Sequence, residues 1–294
     1  MISFSRPPIA WLEDIPSFVD GDKNIDRATV EAFGDEWTRF DSFSDGEIDF
    51  VAAEYFDILP AEKLKHFKNA IDVGCGSGRW TRFIAKHVDF VDAVDPSEAC
   101  LVARRNTADL ENVRVSQASV NALPFADRTF DLAICLGVLH HVPNTQEALT
   151  SLCKKISFGG TLLLYLYYDL SNRSVLYRLL HRASEIPRKI VARLPHNLKN
   201  LSCDLLALFV YMPLIGLAKL TYTISSRLGK RMPLFYYTNK SWNIIRNDSR
   251  DRFGTPLEQR FSQIEIENML HTAGMSNVHF SSNAPFWHCT AVKS

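Results

Sequence analysis

Between residues 69 and 168 the chain alternates short, largely apolar runs with longer stretches whose apolar residues recur every three to four positions. The runs at 70–73, 90–95, 113–119, 130–136 and 161–168 have the length and apolar content of strands. The stretch from Arg79, with Phe83, Ile84 and His87 in helical register, and the stretch 147–156 have the period of helices. Strand–helix alternation of this kind predicts an α/β fold with a parallel sheet and right-handed crossovers. The apolar fifth run suits the buried centre of such a sheet.

The turn after the first predicted strand carries the candidate chemistry. Gly74, Gly76 and Gly78 alternate with Cys75 and Ser77, and a helix follows. Glycines admit positive φ and leave no Cβ between chain and ligand. The free amides of the next helix N-terminus point into the same space. Such a turn alone also suits a tight connection in any α/β domain. Its spacing narrows the choice. A dinucleotide fingerprint has its third glycine three residues after the second, whereas Gly78 follows Gly76 by two. The second strand ends at Asp95, nineteen positions after Gly76, where a carboxylate can accept from both hydroxyls of a ribose.

With Asp72–Gly78, Val94-Asp-Pro-Ser97, Leu123-Pro-Phe125, Thr129-Phe-Asp131 and Leu139-His-His-Val142 in this order, the chain resembles the class I S-adenosylmethionine-dependent methyltransferases of the small-molecule type. The resemblance covers residues 50–168 and, in outline, 255–294. It implies a Rossmann-like sheet of seven strands, mostly parallel with the last antiparallel, and S-adenosyl-L-methionine as cofactor. It implies cofactor contacts from Asp72, Gly74, Cys75, Gly76 and Gly78, from Asp95 and Pro96 at the ribose, from Val120 as an apolar wall and from Leu136 at the methionine end. Phe33-Gly-Asp-Glu-Trp37 resembles a segment that covers the cofactor in some members, which brings in Trp37; an aromatic face packed on the core is the alternative. Ser119 stands where the family often places an acid for the adenine amine, a departure that removes a charge from that contact. His140 and His141 follow the fourth strand. An imidazole there suits a general base near neutral pH, although the pair also occurs in members with varied substrates and is in part structural.

After residue 168 the alternation stops. The stretch 169–255 has no clear strand and several helical segments. The family's usual helix between the fifth and sixth strands comes late, at 262–273, capped by Ser262 and ended by Gly274. Strands are expected at 278–281 and 287–292, joined around Asn283-Ala-Pro285. Three parts follow: an N-terminal segment 1–59 covering the cofactor cleft, a cofactor-binding domain of 60–168 and 256–294, and a helical cap insertion, 169–255, between strands five and six. Within the first part, 1–30 is expected to be irregular, 28–43 helical with Phe33, Trp37 and Phe40 on one face, and 50–59 helical up to Pro60. In the insertion, 205–218 has no charged residue. As a helix it would be ~21 Å long, short of the ~30 Å hydrocarbon core of a bilayer. The expectation is that this stretch turns inward and lines an apolar substrate pocket. Basic residues before and after it also suit an anionic membrane surface. Arg252 and Arg260 flank a Gly and Pro loop that could clamp a carboxylate or phosphate, and Tyr167, Tyr236, Tyr237 and His288 are further substrate-pocket candidates.

Composition changes the picture in two ways. Lys and Arg number 33 and Asp and Glu 33; a nucleic-acid binder would show a basic excess, so no nucleic-acid partner is expected. The six cysteines are scattered with no C-x-x-C pair, so neither a metal site nor a disulfide framework is expected and a reducing cytoplasm suits the chain. Cys75 and Cys135 read as small buried hydrophobes. The first residues lack the apolar core of a signal peptide. The reading is a methyltransferase acting on a small, fairly apolar metabolite, neutral or anionic, at O, N or C. Its rivals are transfer of another group from the same cofactor, a non-catalytic cofactor-binding module, and a protein or RNA methyltransferase. Membrane-surface contact and a dimer stay open.

Overall fold

The computed structural model describes residues 2–19, 21, 24–39 and 45–294. The chain divides into a unit of residues 1–171 with 257–294 and a unit of residues 172–256.

The first unit is built on a sheet of β1 (Ala10–Leu12), β2 (Ile15–Ser17), β3 (Asn69–Val73), β4 (Phe90–Asp95), β5 (Val113–Gln117), β6 (Phe130–Leu136), β7 (Ile156–Tyr165), β8 (Met275–Phe280) and β9 (His288–Lys293). The order across the sheet is β1-β2-β5-β4-β3-β6-β7-β9-β8. From β5 to β7 every pairing is parallel, and β9 inserts antiparallel between β7 and β8. The seven expected strands are all present, with the late hairpin where the pattern put it. The sheet has nine strands rather than seven because residues 10–17, expected to be irregular, form a hairpin whose second strand pairs with β5 at Ser17 and Gln117. Two three-residue strands, one containing Pro16, are too short to show a period of two, and a proline within a run argues against a strand.

Helices α1 (Arg27–Arg39), α2 (Asp45–Tyr55), α3 (Ala61–Leu64), α4 (Arg79–Ala85), α5 (Ala99–Asn106), α6 (Thr145–Lys155) and α12 (Gln263–Thr272) belong to this unit. One layer of core joins Ile71, Val73, Ala133 and Cys135 to Leu149, Leu152, Ile266 and Leu270 of α6 and α12. The opposite face of the sheet, through Ala70, Leu132 and Ile134, packs on Trp80 and Ile84 of α4 and on Ala52 and Phe56. Buried side chains on both faces are what a parallel sheet requires. The expected Ser262 cap is a full capping box with Glu265. Phe40 and Phe43 of the expected N-terminal helix lie outside the described residues, as does the side chain of Trp37.

The second unit is helical: α7 (Val175–Val191), α8 (His196–Leu206), α9 (Met212–Ile224), α10 (Ser226–Gly229) and α11 (Trp242–Gly254). A π-helical turn, Ala207–Tyr211, joins α8 to α9, so that a continuous helix runs from Asn197 to Ile224. A small core of Val191, Cys203, Tyr211, Ile215, Ile245 and Phe253 holds the unit together. Around it, Asp204 accepts from Arg246 and Arg250 at 2.8–3.0 Å, and Tyr211 and Tyr237 donate to Asp248. The stretch 205–218 does not turn wholly inward. Only Ala207, Tyr211, Ile215 and Ala218 are buried, a single stripe, while Leu205, Leu208, Phe209, Val210, Met212 and Leu217 are exposed.

Candidate cofactor site

The turn leaving β3 is fixed by backbone conformations that only glycine adopts without strain. Gly74, Gly76 and Gly78 lie at φ of +75°, +53° and +80°. A Cβ on Gly74 would stand 2.3 Å from a methyl carbon of Val138, and one on Gly78 would stand 3.1 Å from Ala103 Cα. Packing therefore demands a glycine at 74, while at 78 a tight contact adds to the strain of the positive φ. Gly74 and Cys75 donate their amides to the Val94 carbonyl, locking the turn to the end of β4.

Asp95 closes β4 and is buried. Its Oδ2 accepts from the Gly76 amide at 3.0 Å, and its Oδ1 from the Ser97 amide at 2.8 Å and the Ser97 hydroxyl at 2.6 Å. Burial raises its pKa, while the hydrogen bonds from Ser97 and Gly76 oppose that shift. Two carboxylate oxygens offer about four acceptor positions, so the three protein donors leave room for one more. Asp95 can take one ribose hydroxyl in this arrangement.

Asp72 is almost fully buried, and its Oδ2 accepts from the Thr81 hydroxyl at 2.6 Å. Burial, together with the carboxylate of Asp95, pushes its pKa up to about 7 against the pull of Thr81. That bond ties β3 to α4, so Asp72 sets the shape of the turn. Cys75 is buried, and burial pushes its thiol well above the ordinary range; it packs as an inert hydrophobe. Ser119 and Val120 are buried just beyond β5, and Leu136 ends β6 beside Gly137 at φ +82°. Pro96 is half-exposed, its carbonyl accepting from Gln117. The strand ends thus bring Asp95, Ser119 and Leu136 to the same edge of the sheet as the glycine turn, where ligands of open α/β sheets bind. Helix α1 reaches this edge too: a Cβ on Gly34 would touch Ser97 at 3.5 Å. A separate cavity of about 380 Å³ lies behind the turn, among Asp45, Ile48, Ser77, Gly78, Arg79, Arg82, Asn106 and Asp109. None of the strand-end residues lines it, so we do not equate it with the cofactor cleft.

Next to the turn is an aromatic cluster. His140 is fully buried and stacks on Tyr167 with ring centroids 3.7 Å apart. Its Nδ1 accepts from the Tyr167 amide at 3.3 Å, and its Nε2 is buried without a hydrogen-bond partner. Burial, with His141 and Arg260 adding to it, holds its pKa far below the usual imidazole range. An imidazole that accepts at Nδ1 while neutral carries its proton on Nε2. His141 is arranged the other way. Its Nδ1 lies 2.7 Å from the Leu257 carbonyl, which can only accept, so a neutral ring carries its proton on Nδ1 and presents Nε2 as an acceptor. Phe33 of α1 packs on its ring at 4.8 Å.

The substrate candidates are divided between the two units. Tyr167 joins the histidine cluster, and Arg260 lies over its ring at 5.3 Å. Arg260 is already paired with Glu258 at 2.7 Å. Arg252 donates to Glu185 and Ser184 in the helical unit, and Tyr236 and Tyr237 are in that unit as well. Each arginine is thus paired with a carboxylate, a partner that sequence separation concealed. His288 is buried with both ring nitrogens engaged, by Asp57 at 2.7 Å and the Pro285 carbonyl at 2.6 Å. It braces the β8–β9 connection, since Asp57 also accepts from Ser281 and Asn283. Gln259 was missed by sequence reasoning; it spans the histidine loop by donating its amide to the His140 carbonyl and its side chain to the Val142 carbonyl.

Residues 70–160 match the family model described as Methyltransferase domain. This stretch is a class I S-adenosylmethionine-dependent methyltransferase domain. Among curated relatives, the ubiquinone biosynthesis O-methyltransferase of Coxiella burnetii (strain Dugway 5J108-111) is 32% identical over 97 residues, which cover 32% of this chain and 42% of that protein. The demethylmenaquinone methyltransferase of Staphylococcus aureus (strain MRSA252) is 36% identical over 95 residues, 31% of this chain and 39% of the relative. The chain thus spans about two fifths of the length of these relatives. A solved N-methyltransferase, NodS from Bradyrhizobium japonicum WM9 in complex with S-adenosyl-L-homocysteine, aligns at a TM-score of 0.41 and 17% identity over 49% of this chain and 76% of that one. The residues at the strand ends fit S-adenosylmethionine: three glycines in the turn, a buried carboxylate at Asp95 and an apolar side chain at Val120.

Proposed function

We propose that this protein transfers a methyl group from S-adenosylmethionine to a small, apolar acceptor, with a phenol or quinol the best match to the two relatives named above. The observation that carries the reading is the Asp95 carboxylate, fixed by the Gly76 amide and the Ser97 backbone and hydroxyl, at the end of the strand beside the glycine turn. The cofactor supplies an activated methyl on a sulfonium, so the protein's task is alignment and exclusion of water. Gly74 to Gly78 would lie against the methionine and ribose portions, Asp95 would hold a ribose hydroxyl, Ser119 would meet the adenine edge and Leu136 the methionine end.

We assign the two histidines different roles. His141, oriented by its Nδ1 against the Leu257 carbonyl, is assigned as the group that takes a proton from an acceptor hydroxyl, while His140, fully buried with its basicity strongly lowered, is not. Acceptor selection is assigned to the helical unit 172–256, the part of the chain outside the matched domain. Calorimetry with S-adenosylmethionine and its demethylated product, followed by labelled methyl transfer to a panel of phenols and quinols, tests the reading. Replacing the helical unit by a Gly-Ser linker should spare cofactor binding and abolish turnover. Absence of cofactor binding, or binding of NAD instead, would overturn it.

A further inference from the structure

Charge is divided unevenly between the two units. Residues 172–256 contain fifteen Lys and Arg against four Asp and Glu, a net of +11, in a chain whose total is zero; the remainder therefore carries −11. Two of the four acids, Glu185 and Asp204, are held in ion pairs. Arg178, Arg182, Lys189, Arg193, Lys219 and Arg227 are all exposed.

The same unit exposes apolar surface that a water-soluble face would not carry. On the continuous helix the buried positions are Cys203, Ala207, Tyr211, Ile215 and Ala218. A residue two positions along a helix points to roughly the opposite side. Leu205, Phe209, Leu217 and Leu220, each two positions from a buried residue, are 45%, 69%, 49% and 60% exposed. The helix thus packs one stripe on its own unit and presents apolar side chains on the other side. Ile224, 80% exposed, and Leu228 extend this surface to α10, where Arg227, Lys230 and Arg231 gather.

We propose that the unit 172–256 docks on the surface of an anionic phospholipid bilayer, with the outer face of Asn197–Ile224 lying in the interface. Charge selects the partner: an apolar strip edged by basic side chains complements acyl chains beneath anionic headgroups. A nucleic acid would satisfy the charge but leave the leucines and Phe209 in water. Charge argues against a crossing, although the helix has 28 residues and enough apolar content for one. Asp204 and Lys219 bound its uncharged run, which is ~21 Å long against a hydrocarbon core of ~30 Å. Asp204 is also fixed by Arg246 and Arg250 of α11, so burying the run fully would draw that ion cluster into hydrocarbon. A helix with one side on protein and the other apolar lies in the interface plane. This inference does not rest on the methyltransferase reading.

The test is flotation of the full-length protein with vesicles of phosphatidylcholine alone and of phosphatidylcholine with one-third phosphatidylglycerol. Binding is expected on the anionic vesicles, at least ten-fold weaker on the neutral ones, and weakened by salt. Phe209→Glu with Leu220→Glu should lower partitioning at least ten-fold, and Arg227→Glu with Lys230→Glu and Arg231→Glu should remove the preference for anionic lipid. Circular dichroism and cofactor binding should stay at wild-type values in both variants. Equal binding to both vesicle types, or full binding by the Phe209→Glu, Leu220→Glu protein, would overturn the proposal. So would a wild-type dimer that the apolar variant dissociates without loss of vesicle binding, or competition for the site by duplex DNA with no lipid binding.

Discussion

Replacing Asp95 by alanine removes three hydrogen bonds at once and separates two contributions that the turn combines. The Gly76 and Ser97 amides, 3.0 and 2.8 Å from the carboxylate, lose their acceptor. Leaving a buried donor unsatisfied costs about 1–3 kcal/mol, so two such donors should cost the free protein roughly 2–6 kcal/mol, at the low end if water enters the gap. For a chain of this size each kcal/mol corresponds to about 2–4 °C in Tm, so differential scanning fluorimetry should find a fall of several degrees. Cofactor binding should weaken independently. One charge-assisted hydrogen bond to a ribose hydroxyl is worth about 1–3 kcal/mol, or about 5- to 150-fold in Kd, measured by calorimetry below the variant's Tm. Asp95→Asn should fall between the two proteins: its carbonyl can serve Ser97, but its amide would confront the Gly76 amide, donor against donor. Wild-type affinity in the alanine variant would refute the ribose role of Asp95. An unchanged Tm would refute the hydrogen-bond network that positions it.

Four further outcomes are expected. His141→Ala should lower kcat by about 10²- to 10⁴-fold with cofactor affinity kept, whereas His140→Phe, which retains the stack on Tyr167, should cost far less; equal losses in steady-state assays would contradict the division of roles. Ser119→Asp should tighten cofactor binding by supplying a charged acceptor at the adenine edge while lowering apo stability, and weaker binding by a folded variant would move Ser119 away from that edge. Gly74→Ala should prevent normal folding because of the 2.3 Å approach to Val138, with Val138→Ala restoring part of the loss in a double-mutant thermal scan; no rescue would refute the steric account. Asp72 has a folded pKa of about 7, raised by burial above its ordinary value near 3.9, so the folded protein binds the extra proton and stability falls as pH rises from about 4 to 7. Asp72→Asn should flatten that slope and gain, at most, on the order of 4 kcal/mol at pH 8, and parallel urea-stability profiles for variant and wild type would refute it.

The parts of this fold that were legible share one property: their signal is local and repeated. The five central strands could be placed because each is a contiguous apolar run in an alternating pattern, and a sheet covered on both faces requires such runs; the last two could be placed from the turn residues around Asn283-Ala-Pro285. The Ser262 cap and the glycine turn were legible because their physics lies within four or five residues. The hairpin β1–β2 was not, since its strands are three residues long and Ile15 and Phe18 gain their burial from β5 and the core of the domain, 50 or more residues away in sequence. The same distinction runs through the site. Asp95 could be found from its distance to Gly76, but the Ser97 hydroxyl that takes one of its acceptor positions carries no pattern. The partners of Arg252 and Arg260, Glu185 and Glu258, could be assigned only in three dimensions.

The apolar stretch in the insertion shows why counting residues does not decide direction. Fourteen uncharged residues establish that something apolar must meet this helix, and from sequence an inward pocket is the simpler reading beside a partner or a lipid surface. The deciding quantity is how many sides the protein itself covers. A helix of this width can be enclosed only by neighbours on several sides, and the small core of the second unit offers a partner for one stripe. Small residues along that stripe, Ala207 and Ala218, with Cys203 between α7 and α11, permit close approach there, while the bulkier leucines and Phe209 fall on the opposite side. Natural monomers seldom leave such a surface in water. Its basic border then favours anionic headgroups over a second apolar protein face, because a protein partner would have to supply acids to match and the unit's own acids are already committed.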